Sequence, residues 1–258
     1  MKKIIAIVMA ALMVAASFAG CKKDNAKSSS ASSTANKKLI VGITEYEPMD
    51  YKDDNDEWTG FDAEFARNFA KTLNREAEFI VIDWDNKFAE LNSGAIDCIW
   101  NGMTITDEVK KNTSVSDPYV QNKQVVVMKA DKVDNYKDAA SMKGLKFAAE
   151  SGSAGEGVAK DNGYDVTAVT AQSDALLEVK AGSCDACVID ATMAAAMTGD
   201  GTDYSNLKAG ITLNDELYGV GFKKGSDLTA KFNEYLAKVK ADGSLKTLAD
   251  KYNLNLAE

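Results

Sequence analysis

Two stretches of this 258-residue chain have the same layout. LNSGAIDCI (residues 91–99) and VKAGSCDAC (179–187) each leave a helical pattern at a glycine, reach an aspartate three residues on, and enter an apolar strand. The same alternation surrounds both. KLIVGIT (38–44) reads as a strand, and FDAEFARNFAKTLN places Phe61, Phe65 and Phe69 four apart, one face of an amphipathic helix. AEFIVI, NKFAELNSG and AIDCIW follow as strand, helix and strand. LKFAAESGSAGEGVAKDNG (145–163), DVTAVT, SDALLEVKAG and CDACVIDATMAAAM repeat the pattern. Strands alternating with helices predict parallel sheets covered by helices, so the chain reads as two similar α/β lobes. Two extended runs without helices, QVVVMKA (124–130) and LYGVGFKKG (217–225), predict two crossings between them, a hinge. The expected division is 38–125 plus 222–258 for lobe one and 128–220 for lobe two. The acidic segment 51–60 predicts a surface hairpin.

Composition removes several function classes. A net charge of −9 argues against nucleic acid, whose binding needs clustered Lys and Arg. With no histidine, Ser-His and Cys-His nucleophiles are excluded and a zinc site is disfavoured. No metal, cofactor or catalytic residue is expected. Cys184-x-x-Cys187 has no second CxxC beside it, and ACVID alternates like a buried strand, so Cys98, Cys184 and Cys187 are expected as small core hydrophobes. At the N-terminus a basic start, Met1-Lys2-Lys3, precedes an uncharged run from Ile4 to Ala16 and a small-residue exit, the pattern of a secretory signal over 1–20. Phe18-Ala19-Gly20-Cys21 resembles the lipobox of bacterial lipoproteins, which implies lipidation of Cys21, a membrane anchor. Residues 21–37 then form a Ser/Ala/Lys-rich tether.

Four segments, in order, resemble the extracytoplasmic solute-binding proteins of polar amino acid ABC importers, family 3. They are GFDAEFARNFAKTL (60–73), LNSGAIDCIWNGMTITDEVKKNTSVSDPY (91–119), ESGSAGE (150–156) and CDACVID (184–190). The resemblance implies a two-lobed periplasmic binding protein of type II. It implies a monomer outside the cytoplasm that closes on one amino acid and passes it to the permease subunits. By position it assigns Trp84 to cover the solute, and Asn101, Gly102, Thr104 and Ser153 to cradle its head. Asp190 is assigned to receive its ammonium, and Glu45 with Tyr46 to read its side chain. Asp190 also suits a helix N-cap, and Thr106 reads as one.

Two residues depart from the family pattern. Val109 stands where the family has an arginine that forks onto the solute carboxylate, a geometry lysine does not reproduce. Lys110 is one step away, about 100° around a helix, and so is expected to point elsewhere. Leaving a buried carboxylate unpaired costs roughly 3–5 kcal/mol. Glu150 places an acid where the family has an uncharged residue. A cationic or carboxylate-poor solute is therefore the rival expectation, with an enzyme or a receptor lipoprotein on the same fold behind it.

Overall fold

The apolar run LIVGI forms β1 (Leu39–Ile43), an inner strand of the first sheet. The computed structural model describes residues 38–258. The expected signal peptide, the lipidation of Cys21 and the tether lie outside the described residues. After β1 come the hairpin strands β2 (Tyr51–Lys52) and β3 (Trp58–Thr59), then α1 (Phe61–Thr72), β4 (Ala77–Val81), α2 (Lys87–Ser93), β5 (Cys98–Ile99), α3 (Asp107–Asn112) and β6 (Ser114–Val115). The chain continues through β7 (Val120–Lys129), β8 (Lys146–Glu150), α4 (Ala154–Asp161), β9 (Asp165–Val169), α5 (Gln172–Ala181), β10 (Ala186–Asp190), α6 (Ala191–Met197) and β11 (Leu207–Tyr218). It ends with β12 (Gly221–Phe222), α7 (Leu228–Ala241) and α8 (Ser244–Lys251).

The strands form two five-stranded sheets, β4-β1-β5-β12-β6 and β11-β7-β10-β8-β9. β4, β1 and β5 run parallel, as do β10, β8 and β9, while β12 and β7 enter antiparallel. The fold is thus two-lobed α/β, but each sheet is mixed rather than mainly parallel as expected, with two parallel and two antiparallel pairings and helices against it. β7 belongs to the second sheet from Val120 onward, pairing there with Tyr218 of β11. The first crossing therefore lies at 116–119, upstream of the expected 125–128, and the return lies at 219–220. QVVV reads as the strand start because it opens the continuous apolar run Val125 to Met128. The four residues before it, Val120 to Lys123, alternate buried and exposed and already belong to the strand.

Phe61, Phe65 and Phe69 are buried on the inner face of α1. Phe65 meets Trp100 edge-on at 5.3 Å and Phe232 of α7 at 5.6 Å, so the C-terminal helices close the first lobe. Each such ring contributes about 1.5–3 kcal/mol by leaving water. α2 stops at Gly94 and α5 at Gly182, both left-handed as a helix-ending glycine allows. Cys98, Cys184 and Cys187 are buried free thiols. Among the described residues no helix is long and apolar enough to cross a membrane.

Candidate functional site

Strand ends of both lobes converge on a cleft of about 60 Å³. At roughly 10–15 Å³ for one water, it holds a handful of waters. That is the scale of one small solute rather than a peptide. Two larger hollows, about 410 and 660 Å³, open beside the crossing strands. Neither contains a helix N-terminus together with buried charged side chains, and the small cleft contains both. Eight of the ten residues singled out by sequence line it: Trp84, Asn101, Gly102, Thr104, Val109, Glu150, Ser153 and Asp190.

One part of the lining supplies donors. Thr104 bridges Tyr218 through bonds made by its neighbours, Ile105 N–H to Leu217 and Gly219 N–H to Met103. In that arrangement the Thr104 N–H turns away from the partner segment. Its hydroxyl is occupied, donating to Glu216 Oε1 at 2.9 Å. In the facing lobe Ser153 caps α4 by accepting from the Glu156 N–H at 3.0 Å. Glu156 Oε2 in turn accepts from the Gly152 N–H at 3.1 Å. The Ala154 N–H at the start of α4 has no partner within its helix, and Ala154 lines the cleft.

The same lining holds three acids, Glu108, Glu150 and Asp190. Asp190 ends β10 and makes no cap bond to α6. Its Oδ1 accepts from Asn122, from Gln124 Nε2 at 2.8 Å and from the Tyr218 hydroxyl at 2.8 Å. Its Oδ2 accepts from Gln172 alone, which leaves that oxygen spare capacity. Burial, then the neighbouring Glu216 carboxylate, pushes the Asp190 carboxyl well above the usual range. Glu150 at the end of β8 is 2% exposed, and its Oε1 has no partner. Burial raises it to about 8, against the opposing pull of Lys87.

Several expectations need correcting in their detail. The Asn101 amide faces inward, accepting from Thr44 N–H (3.0 Å) and Oγ1 (2.7 Å) while donating to Thr44 O (2.9 Å) and Asp50 Oδ2 (2.8 Å). The Gly102 N–H is taken by Asp62 Oδ2 at 2.6 Å. These two residues shape the cleft wall and hold its loop in place, but those groups are not free for a solute. Burial raises Asp62 to about 7, although its bonds to Gly102 and Tyr119 oppose the shift. Glu45 is exposed and does not line the cleft. Tyr46 is buried beneath Gly102, its hydroxyl bonded to Thr192 and Tyr218. A solute cannot reach a side chain packed under the loop, so neither residue reads it here. Val109 lines the cleft with one face and packs against the cluster of Ile82, Leu91, Ile96 and Met103 with the other. Lys110 is exposed beside Asp107 at 3.5 Å, away from the cleft.

Three polar lining residues were not singled out by the sequence, Lys87, Glu108 and Gln172, and Thr106, read there only as a helix cap, lines the cleft as well. Gln172 opens α5 as one more polar surface letter in AQSDALLEV, and nothing in the sequence marked it. Lys87 did carry a signal: it opens a helix, where the macrodipole disfavours a cation.

The profile of the bacterial extracellular solute-binding proteins, family 3, matches residues 39–255. The L-cystine-binding protein TcyJ of Escherichia coli (strain K12) is 31% identical over 218 residues, 83% of this chain and 82% of that protein. The arginine-binding extracellular protein ArtP of Bacillus subtilis (strain 168) is 30% identical over 259 residues, 98% of each chain. Among solved structures, an ancestral arginine-binding protein bound to arginine superposes with a TM-score of 0.75 at 34% identity, covering 83% of this chain and 97% of its own. With a profile that matches 39–255 of the described 38–258, a relative matched over 98% of both chains and a shared fold, the chain belongs to the bacterial extracellular solute-binding proteins, family 3.

Proposed function

We propose that this protein is the amino acid receptor of an ABC importer: it binds one amino acid between its lobes outside the cytoplasm and delivers it to the permease. The observation that carries this reading is the pairing of opposite recognition groups in one small cleft. Amide donors of Thr104 and Ala154 suit a carboxylate, and Asp190 Oδ2 with its spare capacity suits an ammonium. Trp84, 7% exposed, supplies the apolar wall. The lobes run from 38 to about 119 with 221–258, and from 120 to 218. Cleavage of the signal peptide and lipidation of Cys21 tether a monomer to the membrane through residues 22–37. The protein carries its solute without transforming it.

Calorimetry with the twenty standard L-amino acids, and with simple amines lacking a carboxylate, tests this. At least one amino acid binds with 1:1 stoichiometry, and the amines do not. Asp190→Asn weakens that amino acid by about 2–5 kcal/mol, the range for truncating one partner of a buried charge pair. Tight binding of amines with no amino acid bound would replace this reading with the cationic, carboxylate-poor alternative. Chemical change of the bound solute on long incubation would make the protein an enzyme.

A further inference from the structure

Lys87 is the one cation lining the cleft among the described residues, and nothing above assigns it a role. It is 5% exposed, at the first position of α2. Its Nζ donates to two carbonyl oxygens, Trp84 at 3.1 Å in its own lobe and Gly152 at 2.8 Å across the cleft. None of the ion pairs formed among the described residues includes it. Glu108 and Glu150 act on it through space only. Two terms oppose a charge here. Removing an ammonium from water costs several kcal/mol even after relaxation, and the first turn of a helix is electropositive. Two carbonyl dipoles, with the Trp84 and Phe88 rings at 5.0 and 4.8 Å from the ammonium, offset the charge in part without pairing it. An ammonium has three N–H bonds, so one remains for an anion; Glu108 and Glu150 line the same cleft, but neither bonds to it.

The position of Nζ says which anion. Its bond to Gly152 holds it against the loop that leads into α4, next to Ser153 and the Ala154 N–H. Thr104 and Val109 line the same cleft. We infer that Lys87 binds the α-carboxylate of the solute together with the Thr104 and Ala154 amides, replacing from α2 the arginine that the family pattern would place at position 109. The inference rests on the amino acid reading above. It also accounts for Val109: with the cation supplied from α2, the α3 position is free to pack against Ile82 and Met103.

Calorimetry on the intact protein with the tightest-binding standard amino acid and its α-carboxamide tests the pairing. The wild type prefers the acid over the amide by at least 100-fold. Lys87→Met weakens the acid at least 100-fold and the amide less than fivefold, so the preference collapses; Lys87→Arg keeps it. Should Lys87→Met fail to fold by circular dichroism, Lys87→Gln removes the charge while retaining an N–H donor and gives the same comparison. An acid-to-amide ratio unchanged in the uncharged variant overturns the inference, because a lysine that only supports the loop or touches the solute side chain weakens both ligands alike. Wild-type protein that binds none of the twenty amino acids overturns the amino acid reading first, and this inference with it.

Discussion

Glu150 is an acid enclosed at the end of a strand with one oxygen unpartnered, and its proton is held more tightly in the folded chain than in the unfolded one. Its carboxyl rises from 4.5 to about 8 on burial. For an acid shifted upward the folded state is favoured at low pH: no penalty exists below about 4.5, it grows as pH rises, and it is complete above about 8. Glu150→Gln removes the charge and keeps the shape. Thermal melts across pH should therefore show the variant and wild type alike near pH 4.5, with the variant increasingly the more stable up to pH 8. A difference that stays flat with pH would show that Glu150 is not the group responsible. Asp62 contributes the same sign over a lower window, from 3.8 to about 7. The wild type should thus lose stability towards alkaline pH through both groups, and the subtraction against Glu150→Gln isolates one of them.

Between the elements, the loop from β8 to α4 has to come close to the first lobe. Gly152 has φ +69, and a Cβ there would stand 2.7 Å from Asp85 Oδ1 and 3.0 Å from its Cα. Gly152→Ala introduces both a left-handed strain of about 1–3 kcal/mol and an obstruction between lobes. It should weaken solute binding at least tenfold in calorimetry. Asp85→Ala in the same chain should restore part of that loss; no recovery would mean the loop itself, not the approach of the lobes, was damaged. This scale is also where the sequence was most readable. The phenylalanine spacing located α1, the glycines after α2 and α5 stopped both helices, and Thr106 stands as the cap of α3, accepting from the Val109 N–H at 3.1 Å. Those signals are local, since each depends on residues within a turn or two. Lys87, Gln172 and the inward-facing amide of Asn101 depend on what lies opposite after folding. Asn101 bonds to Thr44 and Asp50, each more than fifty positions away, and its spacing within NGMTIT gave no indication of that. Tyr46 fails for the same reason, because the ring sits under Gly102 and its hydroxyl reaches Thr192 of the other lobe.

At the level of the molecule, several links already join the lobes or their hinge, among them Lys87 to Gly152, Tyr46 to Thr192 and to Tyr218, Thr104 to Glu216 of β11, and Ile105 to Leu217. Each such bond contributes about 1 kcal/mol net. A solute touching both lobes adds contacts that exist only when they are closed, and shifts the population by that difference. The most direct measurement is small-angle X-ray scattering on the mature chain, titrated with the amino acid that calorimetry finds tightest. The account predicts a radius of gyration that falls on titration and levels off at one equivalent. A radius that stays constant through saturation would contradict it.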